Sequence, residues 1–180
     1  MDERDFWELK FSVEVSTRYH DWRRSTMMTM IRLVRGVTFF SAIFTLVTAF
    51  DPFHWGAAVV WVVASFSVLI ASVNLLELVA DFDGKALLHE SLYKSFKRLQ
   101  ERMARGAVEW MANLPEWQAD AQAIRVDEPP TWWAVYAMCW NQTIDRHQAE
   151  MKGFMRPVAS WQLLLRNLLH FRPQDFPAAG

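Results

Sequence analysis

The chain has 180 residues, a mean hydropathy near zero and a formal net charge of -1, with 52% hydrophobic and 22% charged side chains. That composition is too apolar for a disordered chain, and six glycines and seven prolines exclude a fibrous or linker-like one. One cysteine excludes a disulfide framework and a cysteine-rich zinc site, and the balanced charge argues against dedicated nucleic-acid binding.

The charges are unevenly spread. Residues 1–29 carry an apolar series, Phe6, Leu9 and Val13, followed by Thr17 and His20 at helical spacing. Alternation of Leu9, Phe11, Val13 and Val15 with polar residues also fits a strand. A helix is preferred, because a lone strand beside helices has no pairing partner. From Gly36 to Gly84 there is no Lys or Arg, and two apolar runs fall in that window. About 20 apolar residues cross a hydrocarbon core of about 30 Å at 1.5 Å per residue. The spans are placed at 30–50, with Arg32 and Arg35 reaching the headgroups, and at 55–79, so residues 30–80 form a transmembrane hairpin. The soluble alternative, two central bundle helices, would normally keep a charged face, and Gly56 to Leu76 has none.

Orientation follows from basic residues near the membrane ends. Arg18, Arg23, Arg24, Arg32 and Arg35 precede the first span, and Lys85, Lys94, Lys97 and Arg98 follow the second. The connection Asp51-Pro52-Phe53-His54-Trp55 has no Lys or Arg, which predicts both termini in the cytoplasm and Trp55 at the outer interface. A cleavable signal peptide is not expected, since the apolar stretch begins about 35 residues in.

Residues 81–180 are read as a cytoplasmic helical region. Leu88, Leu92, Phe96, Leu99, Met103, Ala107, Trp110 and Leu114 recur at steps of three and four, predicting one long helix ended by Pro115. So narrow a stripe needs a partner, either the N-terminal segment or a second copy of the chain. A short helix over 116–126 follows, stopped by Asp127-Glu128-Pro129-Pro130, and then an aromatic helix beginning at Thr131 with Trp132, Trp133, Tyr136 and Trp140. Trp161 anchors an amphipathic segment, 158–171, that suits either the membrane plane or the bundle core. The fold class is therefore all-α: a two-helix transmembrane hairpin with a cytoplasmic helical bundle.

Chemistry is sparse. The five histidines are dispersed, the glycines are isolated, and Cys139 has no nearby base and reads as a small buried hydrophobe. Asp145, His147 and Glu150 are the one acid–base set worth keeping, as a membrane-bound hydrolase, although a solvated helix face explains them as well. No catalytic, cofactor or metal site is assigned. Inside the membrane, Asn74 and Glu77 share a face to which Ser72 adds polar surface, facing either a pore or neighbouring helix, or simply the hairpin and headgroups. Trp132, Trp133 and Trp140 offer a partner surface, with core packing and surface anchoring as the alternatives.

Ser16-Thr17-Arg18-Tyr19-His20, the tight two-span hairpin and the following stripe at Leu92, Phe96 and Leu99 resemble the SLATT-type two-transmembrane effectors of bacteria, over residues 6–112. The resemblance implies a bacterial inner-membrane effector that perturbs or permeabilises the membrane, in antiphage or nucleotide-signalling defence. Its partners would be the bilayer, further copies of the chain, and a cytosolic protein or nucleotide signal. The alternative is a non-enzymatic scaffold recruiting a cytosolic protein through its aromatic C-terminal helices.

Overall fold

A computed structural model describes residues 2–49, 57–147, 154–166 and 171–176, and no strand occurs among them. The helices in chain order are α1 (Glu3–Ala49), α2 (Ala57–Ala80), α3 (Phe82–Arg105), α4 (Trp110–Val126), α5 (Trp133–His147) and α6 (Ser160–Leu165). The all-helical architecture read from the sequence is the one observed. The predicted turn at Asp51-Pro52, Trp55 and Glu150 lie outside the described residues.

α1 is one continuous helix across both the N-terminal segment and the first apolar run, rather than two elements meeting near residue 30. Nothing in its sequence interrupts it: it contains no proline, and Gly36 is its single glycine. The chain divides into two compact units, 1–22 with 89–180, and 23–88, so α1 and α3 each contribute to both.

Within 23–88, α1 and α2 run antiparallel. Phe44 meets Phe66 with ring centroids 4.6 Å apart, and Thr38 lies beside Asn74. Met27 and Ile31 bury against Ala86 and Phe82 of α3. α2 passes into α3 through Asp81 alone, which has a φ of 47°. Its carboxylate Oδ1 accepts the Gly84 N–H at 3.1 Å and caps α3. A Cβ at position 84 would collide with that carboxylate, so glycine is what lets the cap close.

Within 1–22 and 89–180, α1 presents two faces. Phe6, Leu9 and Val13 form a core with Phe96, Leu99 and Met103 of α3 and with Leu114, Trp117 and Ala121 of α4. Val15 and Tyr19 pack against Val135 and Cys139 of α5. Ala134 and Ala137, on another face of α5, meet Phe171 and Phe176 from the C-terminal segment.

The single long helix predicted through Leu114 is not what forms. α3 ends at Arg105, a 3-10 turn occupies Ala107–Glu109, and α4 returns antiparallel to α3, so that Arg102 pairs with Glu116 and Asp120. Pro115, expected to end a helix, lies inside α4. It forfeits one backbone hydrogen bond, and the burial of Leu114 and Trp117 on either side offsets the loss. The reversal depends on Gly106, where a Cβ would stand 2.8 Å from the Trp117 ring. The aromatic helix also starts later than expected, at Trp133 rather than Thr131, and the last amphipathic segment is helical over Ser160–Leu165 among the described residues.

Candidate functional site

α1 and α2 are each long and apolar enough to cross a membrane. Their outward side chains are large and aliphatic or aromatic: Phe39, Phe40 and Leu46 on α1, and Trp61, Val68 and Leu78 on α2, where Trp61 is 76% and Leu78 78% exposed. An apolar exterior of this extent is unfavourable in water and fits hydrocarbon.

Several polar residues of these helices bond to the other helix or to their own backbone. Thr38 Oγ1 donates to Asn74 Oδ1 at 3.2 Å, which places Asn74 in the contact between the two helices, one of its two expected roles. Ser72 Oγ donates to the Val68 carbonyl at 2.8 Å, and Ser65 and Ser67 do the same one turn back on their own helix. Glu77 is half-buried, and its carbonyl accepts the Asp81 N–H at 3.0 Å. Arg35 donates from Nη2 to both oxygens of Asp83, at 3.0 and 3.2 Å, whereas Arg32 is exposed.

The apolar stripe of α3 finds its partner within the chain. Leu92, Phe96, Leu99 and Met103 are buried, with the last three in the core that α1 and α4 complete, and Leu88 is half-buried. The tryptophans of the aromatic region are likewise engaged. The backbone N–H of Trp132 donates to the Tyr19 hydroxyl at 3.0 Å, Trp133 packs on the Phe171–Phe176 cluster, and Trp140 Nε1 donates to the Phe154 carbonyl at 3.0 Å. Trp161 differs, being 56% exposed while its ring meets Phe171 edge-on.

Arg156 fastens the C-terminal segment. Its backbone N–H donates to Asn141 Oδ1 and its carbonyl accepts from Asn141 Nδ2, at 2.8 and 2.7 Å. Its guanidinium donates to the Phe176 carbonyl and lies over the Trp140 ring.

The most concentrated buried polar chemistry involves residues that sequence spacing left apart. His20 of α1 and His89 of α3 face each other through their Nδ1 atoms at 2.9 Å, and His20 Nε2 is 3.1 Å from Glu128 Oε1. The His20 ring stacks on Phe96, with Tyr19 edge-on to both imidazoles. Two further bonds tie the region around Glu128 to α1, one from Arg125 to Ser12 and one from Trp132 to Tyr19. A carboxylate, two imidazoles and a phenol thus meet between α1, α3 and the segment after α4. His20 lies on the helical series Phe6, Leu9, Val13, Thr17, and that core-facing position was the available signal.

The other candidates behave differently. His147 Nε2 bonds Glu14 of α1, distant in sequence from its neighbour Asp145. Cys139 is buried, and desolvation pushes its thiol up to about 12, consistent with an inert hydrophobe. A groove of about 440 Å³ between α3 and α4 is lined by Arg98, Arg102 and Arg105. Glu101 and Asp120 share that lining and Glu116 pairs with Arg102, so carboxylates match the arginines and no anion site results. Among the described residues, no group of three or more His, Cys, Asp or Glu is arranged to hold a metal ion. Comparison of the chain with protein-family models, with curated proteins and with solved structures gives no match.

Proposed function

We propose that this protein is a non-enzymatic effector of the bacterial inner membrane, with both termini cytoplasmic, which assembles into homo-oligomers and permeabilises the bilayer in a defence response. The observation that carries the reading is the contrast on α1 and α2 between an exposed aliphatic and aromatic exterior and polar side chains that are already satisfied. Lipid suits that exterior. One copy with Asn74 and Ser72 so engaged lines no aqueous path, so permeation requires several copies or a rearranged hairpin.

The test is reconstitution of the full chain into vesicles loaded with a small dye, beside its mass in detergent and the membrane potential of cells on induction. Dye release, an oligomeric mass and depolarisation are expected. A strictly monomeric protein that leaves vesicles and cells sealed overturns the reading. Val68→Lys, on the exposed face of α2, should impair insertion by about 2.5–3.5 kcal/mol.

A second reading, a membrane-bound scaffold, draws on the exposed Phe154, Trp161 and Leu164 rather than on Trp132 and Trp140, whose polar contacts are internal. Loss of a co-purifying cytosolic protein on Trp161→Ala, with vesicles remaining sealed, would favour it.

A further inference from the structure

Hydroxyls fall on one face of the apolar part of α1. Thr38, Ser41, Thr45 and Thr48 follow one another at steps of three, four and three, which keeps them on one side of a helix. Ser41 is 4% exposed and the three threonines are half-buried, whereas Phe39, Phe40, Ile43 and Leu46 among them are exposed. On α2 the half-buried row is Val63, Phe66, Ile70, Val73 and Glu77, again at steps of three and four. The two helices meet where Phe44 packs on Phe66 and where Thr38 bonds Asn74. The hydroxyl face is therefore turned toward α2 and away from the exterior that suits lipid. From Thr48 to Thr38 it covers about 15 Å of helix, and Glu77 lies about 4.5 Å beyond Asn74, toward the junction of α2 with α3. The whole series runs about 20 Å along a hydrocarbon core of about 30 Å.

Its chemistry is one-sided. Thr45 Oγ1 donates to the Ser41 carbonyl at 2.9 Å, and Thr48 Oγ1 to the carbonyls of Phe44 and Thr45 at 3.0 and 2.9 Å. A hydroxyl has one proton, so these oxygens keep lone pairs and no further donor. Such oxygens solvate a cation and repel an anion. The charged residues from Gly36 to Gly84 are all acidic: Asp51, Glu77, Asp81 and Asp83. Asp81 caps α3 and Asp83 holds Arg35, while Glu77 stays on the row that faces α1. Asp51 lies outside the described residues.

We infer that the path through the bilayer is lined by this hydroxyl face with Asn74 and Glu77, and that it passes small monovalent cations in preference to anions. The inference rests on the permeabilising reading above and adds to it the lining and the permeant class. In one copy the face is closed against α2. Ions reach it when the hairpin parts and the α1 faces of several copies turn to a common axis. A carboxylate about 5 Å from a passing ion in water favours a cation about fourfold over a neutral group.

The test is the reversal potential of the full chain in a lipid bilayer with unequal KCl on its two sides. A preference for K+ over Cl− is expected, and Glu77→Gln should lower the permeability ratio about fourfold or more. Ser41→Cys, Thr45→Cys and Thr48→Cys should each lose conductance to a charged, membrane-impermeant thiol reagent. Phe40→Cys, on the lipid-facing side, and the wild type, whose Cys139 is buried, should keep theirs. Three positions on the face are tested so that one poorly folding variant does not decide. A bilayer that never conducts overturns the permeabilising reading and this inference together. Conductance that prefers Cl−, a ratio unchanged in Glu77→Gln, or cysteines on the hydroxyl face as insensitive as Phe40→Cys overturns this inference alone and leaves permeabilisation standing.

Discussion

Thr38 Oγ1 donates to Asn74 Oδ1 at 3.2 Å, joining α1 and α2 between the Phe44–Phe66 contact and the Met27–Ile31 cluster. Such bonds contribute modestly between membrane helices, because the separated helices find other partners for the same groups. Thr38→Val should therefore weaken the helix pair by about 0.5–1 kcal/mol in lipid, and Asn74→Ala by a similar amount. A double-mutant cycle on helix association should give a total below the sum of the two single effects. Strict additivity would mean that the two side chains do not interact.

Gly106 governs the reversal between α3 and α4. A methyl group there meets Trp117 at 2.8 Å and the Asn113 side chain at 3.1 Å, and Trp117 is held in the core by Phe6 and Leu114. Gly106→Ala should lower stability by about 1–3 kcal/mol through overpacking. Trp117→Phe, which removes part of the obstructing ring, should recover part of that loss in the double variant. The measurement is thermal unfolding followed by tryptophan fluorescence.

How far the sequence revealed these features depended on the range of the interaction. The apolar helices were legible because a membrane requirement is local: missing charge over about 20 residues is visible without knowing any partner. The stripe at Leu92, Phe96, Leu99 and Met103 was legible as a buried face for the same reason. Its partner was not, since periodicity does not distinguish the N-terminal segment from a second copy. The reversal at Gly106 was hidden by a stripe that stays in phase across it, so that Leu114 falls on the expected face of a helix that has already ended. His20, His89 and Glu128 are separated by 69 and 108 residues from His20, and no local pattern joins them. The unbroken α1 was readable from the absence of any proline between Glu3 and Ala49.

Cys139 should be nearly inert. With its thiol pushed up to about 12 by burial, the native thiolate fraction at pH 8 is on the order of one part in ten thousand. An exposed cysteine at about 8.5 would be roughly one quarter ionised. Alkylation by iodoacetamide at pH 8 should be about a thousandfold slower in the native protein than in denaturant, before any steric protection is counted. Equal rates would place the thiol at the surface.

Glu14 joins α1 to α5. Burial by itself would raise its carboxyl, but hydrogen bonds from His147 and Arg18 outweigh that and hold it below the ordinary glutamate range. A carboxyl lowered by folding contributes stability above its unfolded value, about 4.3, and that contribution fades as pH falls through the lower folded value. Glu14→Gln should therefore cost about 1 kcal/mol at neutral pH, with the difference from wild type shrinking as pH falls below about 4.3. His147→Gln separates the two partners: if α5 is held through this contact, the penalty of Glu14→Gln should shrink in that background. An undiminished penalty would assign the effect to Arg18, whose Nη2 donates to Glu14 Oε1 at 2.7 Å within α1 alone.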